Sequence, residues 1–441
     1  MEFLIKAGQL ILSLSILIVL HEFGHYLPAR WFKTRVEKFY LFFDYKFALF
    51  KKKIKDTEWG IGWIPLGGYV KISGMIDESM DTEQMKKEPQ PYEFRTKKAW
   101  QRLIIMIGGI VVNFVVGIII YCMVLFIWGE DYYIMEDLKN GFTPSETMRE
   151  YGFRDGDKII DVDGEVPLDI LDVNTIIMLR GGHIVNVEHA DGTSEKISLS
   201  EDVEWDLFQT EGMIAFSPRI YTIVGDMDST MNAKKSGIMK GDSIVAINSV
   251  PTIYFDEFKN EITKHKSEKV SITLFRNNQP MTIDVATDTS GRIGIFPERL
   301  DSIYALRHKD YSFAESIPAG FSKAFTVLGD YVAQMKFLFT KKGASNIGGF
   351  GTFGSLFSPI WDWHSFWLMT AFISIVLAFM NFLPIPALDG GHIMFLLYEM
   401  ITGRKPGDKF MEYAQMVGII LLLGLLIYAN GNDLYKLFTG N

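Results

Sequence analysis

The chain has 441 residues, 48% of them hydrophobic and 14% aromatic, with a formal net charge of −9. That length accommodates about three units, and the composition is too apolar for an ordinary soluble chain yet too polar for a bare bundle of membrane spans. The acidic balance argues against nucleic acid as a partner, and a single cysteine, Cys122, excludes an intramolecular disulfide.

Taken in chain order, the first feature is an apolar run at 3–20, followed by HEFGH at 21–25. Three further runs, 103–128, 366–383 and 414–428, also approach the roughly 20 residues needed to cross a hydrocarbon core. An N-terminal run could be a signal peptide, but no small-residue cleavage site follows this one, so an uncleaved span is expected. HEFGH reads H-E-x-x-H. On a helix His21 and His25 lie one turn apart on the same face and can reach one ion. In zinc hydrolases of this pattern the intervening glutamate, here Glu22, serves as general base toward water. A pair of histidines merely capping a span would explain neither Glu22 nor the spacing, and ionisable groups in a span are read as functional.

Residues 26–102 carry 16 Lys+Arg against 10 Asp+Glu, with Arg30, Lys33 and Arg35 beside the first span. The positive-inside rule places this loop in the cytoplasm. Within it, IGWIPLGGYVKISG (61–74) is an apolar, glycine-containing stretch ending in an alternating strand pattern. An ordinary cytoplasmic hairpin is one reading. A sheet edge that accepts an unwound substrate is the other, with Gly67, Gly68, Tyr69 and Val70 as the contacting residues. The polar loop DESMDTEQMKKEPQP (77–91) has no assigned role.

Residues 130–320 hold 19 basic and 34 acidic residues and contain a repeat. GFRDGDKIIDVDGEVP (152–167) aligns with GIMKGDSIVAINSVP (237–251), each a Gly-x-x-x-Gly-Asp turn, a strand and a second turn. Helical segments DVNTIIMLR (172–180) and YFDEFKNEI (254–262) follow, and in the second copy strands VSITLF (270–275) and MTIDVA (281–286) follow in turn. The pattern resembles PDZ domains, over about 134–220 and 221–298. Such domains take a peptide as an added strand, although two small β domains acting only as spacers would read the same way. Residues 312–340 show helical spacing of mixed polarity. An amphipathic segment on the outer leaflet is expected there, with a fifth span opposed by Lys323, Asp330 and Lys336.

The third apolar run ends in MNFLPIPALDGGH (380–392), where two prolines break the helix. Irregular backbone at membrane depth is tolerated only where it is buried or lines a cavity. Asp389 is a candidate third ligand, since catalytic zinc usually takes three from the protein, and His392 is its rival or a supporting partner. Asn381 could donate to a developing oxyanion or grip substrate backbone. If the first and third runs both cross from outside to inside, their two motifs lie at the same depth.

HEFGH, PLGGYVK (65–71), the Asn-Phe of GGIVVNF (108–114) and N-x-x-P-x-P-x-LDGGH together resemble the site-2 protease family of intramembrane zinc metalloproteases. The paired PDZ-like segments are similar to its bacterial regulator-of-sigma-E branch. The resemblance spans nearly the whole chain and departs where the family often has Gly-Pro, at Gly109-Ile110, and at NIGGFGTFGS (346–355). It implies one zinc ion held by His21, His25 and Asp389, with Glu22 as base and Asn381 contacting substrate. It implies a polytopic α-helical membrane protein with about four transmembrane helices, a membrane-associated β hairpin and two extracytoplasmic PDZ-like α+β domains. The expected division is a membrane core at 1–133, PDZ-like domains at 134–220 and 221–298, a connector at 299–364 and a second membrane core at 365–441. The implied substrates are single-span membrane proteins in the bilayer of the bacterial inner membrane, such as anti-sigma factors already trimmed outside. Both termini and the PDZ-like pair would be extracytoplasmic, and the active site near the cytoplasmic side. A PDZ scaffold without catalysis is opposed by the intact His-Glu-His and Asp. A divalent-metal transporter would spread polar residues through its spans.

Overall fold

The computed structural model describes residues 1–65, 67–75, 88–210 and 213–439, so Leu66 of the 61–74 stretch and residues 77–87 of the polar loop lie outside the described residues. The chain forms two compact units, one built from Met1–Gly129 with Asp310–Asn441 and the other from Glu130–Lys309. These divisions differ from the expected connector, whose first residues belong to the inserted unit.

The helical unit opens with α1, Glu2–Trp31, which runs unbroken through HEFGH and tolerates Pro28 near its end. A four-stranded sheet follows: β1 (Val36–Leu41), β2 (Phe50–Ile54), β3 (Thr57–Ile61) and β4 (Tyr69–Ile72), in the order β2-β3-β1-β4. β1 runs parallel to β3 and antiparallel to β4. The expected hairpin is therefore a larger sheet with β4 at its edge, because the partner of β4 comes from 30 residues upstream and not from across a tight turn. Phe23 and Tyr26 of α1 pack on Phe39 and Trp59, which fixes the sheet against the HEFGH turn (Phe23 to Phe39 4.9 Å, Tyr26 to Trp59 5.2 Å between ring centroids). The long apolar helix α2, Ala99–Trp128, comes next.

The inserted unit contains both repeats. The first has β5 (Phe142–Pro144), β6 (Lys158–Val162), α3 (Asp172–Leu179), β7 (Ile184–Glu188), β8 (Ser194–Ser198) and β9 (Phe216–Pro218). The second has β10 (Val224–Met227), β11 (Ser243–Ile247), α4 (Phe255–Ile262), β12 (Lys269–Arg276), β13 (Gln279–Ala286) and β14 (Ile295–Pro297). In each copy the first strand after the Gly-Asp turn leads an antiparallel ladder, β6-β7-β8 and β11-β12-β13. Each turn is closed by its aspartate: Asp157 accepts the Arg154 amide and Asp242 the Met239 amide, both at 2.8 Å.

The chain then returns to the helical unit through α5, Phe313–Leu338. α5 packs along α2, with Phe313 against Phe126 and Phe325 against Phe114. Ser316, Gly320 and Ala324 form its buried stripe, with Gly320 against Cys122 of α2, whereas Phe313, Phe321 and Phe325 are about half exposed. Two short helices, Lys341–Asn346 and Phe350–Ser355, precede α6 (Trp363–Phe382), α7 (Asp389–Thr402) and α8 (Asp408–Thr439). Among the described residues, four helices are long and apolar enough to cross a membrane: Glu2–Trp31, Ala99–Trp128, Trp363–Phe382 and Lys409–Thr439.

The two turn aspartates are braced by different cations. Asp242 meets the Arg276 guanidinium through two hydrogen bonds (2.7 and 2.8 Å). Asp157 meets His189 Nδ1 at 2.8 Å, and His189 Nε2 meets Glu195 at 3.0 Å. With carboxylates on both ring nitrogens, Asp157 first and Glu195 second, the imidazolium is favoured and the His189 pKa is raised. A raised histidine pKa stabilises the fold fully below the unfolded value of about 6.5 and loses that stabilisation as pH rises through the folded value. The temperature at which the first repeat becomes protease-sensitive should fall as pH rises from 6 toward 9. His189→Gln should abolish that dependence; an unchanged pH profile in that variant would contradict the assignment.

Candidate metal centre

α1 and α2 approach closely enough for backbone to touch backbone, because glycines meet at the crossing. A side chain at Gly24 would collide with Gly108, and one at Gly109 with the rings of His21 and His25. Those rings therefore fill the space that a Cβ on α2 would take. Asp389 arrives from the far end of the sequence as the first residue of α7, where the positive end of a helix favours a carboxylate. The segment before it is irregular. Residues 383–388 contain both prolines, Pro384 and Pro386, and Ala387 takes a left-handed conformation (φ +82°). Gly390 and Gly391 let the carbonyls and ring of 382–386 lie directly on the first turn of α7. An ion pair between Arg102 and Glu399 ties α7 to α2.

The result is a cluster of three metal-ligating side chains, His21, His25 and Asp389. His21 Nε2 and His25 Nε2 are 3.2 Å apart, and each is 3.3 Å from Asp389 Oδ2. A tetrahedral zinc with bonds of about 2.0–2.1 Å has ligand-to-ligand edges of about 3.3–3.4 Å. The three atoms thus form one face of such a tetrahedron, and the donor set, two imidazoles and a carboxylate, suits zinc. Asp389 Oδ2 is buried without a hydrogen-bond partner among the described residues, as an atom awaiting a cation would be.

Both rings are oriented by α2, which contributes no ligand itself. His25 Nδ1 lies 2.8 Å from the Ile105 carbonyl, which can only accept, so Nδ1 carries the proton and Nε2 is free to bind metal. His21 Nδ1 lies 3.1 Å from the carboxamide of Asn113. Asn113 is fully buried, and its Oδ1 has no partner in the orientation that offers nitrogen to the ring. Rotating the amide turns Oδ1 to accept Nδ1–H and frees His21 Nε2 in the same way.

Glu22 is buried beside the trio and accepts a hydrogen bond from the Val70 amide. Gly68 packs on Ile18 next to Glu22. Tyr69 is stacked on Tyr40 (5.4 Å) and donates to Asp44 (2.8 Å). Gly67 lies against the Phe43 ring. His392 is not part of the cluster; it lines a small cavity of about 60 Å³ with Phe94, Arg102 and Glu399. Asn381 is in the last turn of α6, half buried. Sequence reasoning gave no role to Ile105, Asn113 or Arg102. Asn113 had a visible signal, an amide side chain within an apolar run, whereas a backbone carbonyl such as that of Ile105 leaves none.

The sequence model of peptidase family M50 matches residues 9–425. The chain is 28% identical to "Putative zinc metalloprotease NMA0084" of Neisseria meningitidis serogroup A, over 97% of this chain and 98% of that protein. It is 25% identical to the regulator of sigma E protease of Haemophilus influenzae (99% and 100% covered) and 26% identical to protease RseP of Yersinia pestis (99% and 100% covered).

If Asn113 orients His21, Asn113→Leu should weaken zinc binding about 10- to 100-fold in chelator competition, with helix content and melting unchanged. Asn113→Asp, which keeps an acceptor oxygen, should retain most of the affinity. Equal affinities in all three proteins would refute the role.

Proposed function

The chain belongs to peptidase family M50, and from that premise we propose that His21, His25 and Asp389 hold its zinc while Glu22 moves the proton of the attacking water. It is an intramembrane zinc metalloprotease. The observation that supports the residue assignment is the spacing of the three ligand atoms, 3.2–3.3 Å, beside a buried carboxylate. When bound, zinc supplies a Lewis acid for the scissile carbonyl and makes water a stronger acid. Glu22 takes a proton from the attacking water and delivers it to the leaving amide nitrogen. Asn381 contacts the substrate backbone from the broken end of α6.

A helical substrate hides its peptide groups in internal hydrogen bonds and must unwind before it can be cut. The edge of β4, with Gly67, Gly68, Tyr69 and Val70, receives the unwound segment as an added strand. Because the Val70 amide already bonds Glu22, a segment on that edge lies next to the proton-transfer group. The excess of basic residues at 26–102 supports a cytoplasmic position for this loop, with both termini and residues 130–309 outside a bacterial inner membrane. The substrates are single-span membrane proteins of the anti-sigma-factor kind. The repeats are PDZ-like domains, tethered at both ends to the helical unit, and they act mainly as a size filter that excludes substrates with bulky external parts.

Glu22→Gln should keep about one zinc per chain and retain bound substrate while cleavage falls by at least about 10²-fold. Wild-type turnover in that variant would eliminate Glu22 as the base. Deleting residues 134–298 should allow cleavage of an untrimmed substrate and preserve that of a trimmed one. Loss of both activities in a folded, zinc-loaded deletion protein would show instead that the repeats recruit substrate.

A further inference from the structure

In the first repeat β9 pairs, among the described residues, on one side only, with β5, and Phe216 stands opposite Pro144. Proline has no N–H to give. The N–H and C=O of Phe216 turn to the other side, as in a non-hydrogen-bonded antiparallel pair. Such an edge is how small β domains accept an extended peptide, yet here it is occupied from within. The Asn174 carboxamide, on α3, donates Nδ2–H to the Phe216 carbonyl at 2.8 Å. Its Oδ1 accepts from the Phe216 amide at 2.9 Å and the Ala215 amide at 2.8 Å. A side-chain amide has the donor and acceptor of a peptide group, and this one meets Phe216 as a neighbouring strand would.

We propose that β9 is a peptide-accepting edge held shut by Asn174, so that the first repeat takes an extended segment only by displacing that side chain. This rests on the PDZ-like reading of the inserted unit. The occupant is an extended peptide, because the group that satisfies the edge internally is itself an amide and uses both the donor and the acceptor of one residue. Two N–H groups converging on a single oxygen fit a peptide carbonyl or a terminal carboxylate equally. The second repeat is built differently. Aligning the buried pair Val173/Ile177 of α3 with Phe258/Ile262 of α4 puts Lys259 where Asn174 stands, and Lys259 is exposed. Its corresponding strand, β14, pairs among the described residues only with β10, and Phe296 is 54% exposed. The two repeats thus present one closed edge and one open edge.

The test uses the full chain in nanodiscs and a pool of random heptapeptides with free carboxyl termini, with amide hydrogen exchange as the readout. In the wild type the pool should protect β14 and leave Ala215 and Phe216 unaffected. In Asn174→Ala it should protect both strands, with capture at β9 raised at least about tenfold. Amidated peptides distinguish a terminal carboxylate from an internal carbonyl as the occupant of the N–H pair. Should Asn174→Ala unfold the repeat, the wild type still decides. A lock that opens makes Ala215 and Phe216 exchange at least about tenfold faster than Val185 and Val187 of β7, and exchange only on global unfolding overturns the proposal. Protection of β9 in the wild type equal to that in the variant also overturns it, as does protection of β14 without β9 in a folded variant. If neither strand is protected in either protein, the PDZ-like reading fails and the lock fails with it.

Discussion

Two imidazoles and a carboxylate buried together among apolar helices are costly to desolvate unless a cation or well-placed hydrogen bonds compensate them. In this chain they come from segments more than 360 residues apart, and much of the helical unit can be understood as the means of bringing them together. The glycines at 24, 108 and 109 set the distance between α1 and α2. The Ile105 carbonyl and the Asn113 amide set the ring orientations. The Arg102–Glu399 pair and the glycines after Asp389 set the position of α7. α2 takes part in all three arrangements, and it is the helix that holds no ligand.

That division of labour explains why α2 has to be so apolar and yet carry a few specific exceptions. A long apolar helix is soluble in lipid, but hydrogen-bond donors and acceptors inside it have no water to fall back on. Asn113 is fully buried, engages His21 through its side chain and accepts the Ser374 hydroxyl of α6 at its carbonyl (2.7 Å). One residue thereby connects three helices at the level of the ligands. The sheet is joined to the same level by a different route, through Phe23 and Tyr26 on its aromatic side and through Val70 and Glu22 on its edge. Edge strand and proton-transfer group are one assembly, so displacing β4 would disturb the chemistry as well as the binding surface.

The parts of this arrangement legible in the sequence are those set by local periodicity. The i, i+4 histidines with Glu22 between them declare a shared helix face, and the four apolar runs correspond to α1, α2, α6 and α8. Asp389 was legible only together with the family resemblance, since spacing alone left His392 as a rival. The rest depends on tertiary pairing that no short window contains. β4 reads as half of a hairpin because its true partner, β1, is separated from it by two other strands. Arg102 and Glu399 read as two ordinary charges until the helices that carry them are placed side by side.

The two repeats show how one local plan can be fixed by unlike chemistry. Both turns depend on an aspartate that accepts an amide three residues earlier, and that requirement is written in the Gly-x-x-x-Gly-Asp pattern. The cation that compensates the aspartate is not, because it comes from a later strand: Arg276 at the end of β12 in one copy and His189 just beyond β7 in the other. Arginine remains charged at any physiological pH, whereas a histidine does not. The helix after the turn differs as well, carrying Asn174 on the edge strand in one copy and an exposed Lys259 at the aligned position in the other. Sequence repetition therefore establishes a common backbone plan here, while the residues outside the repeated motif decide how firmly each copy is held and whether its edge is open.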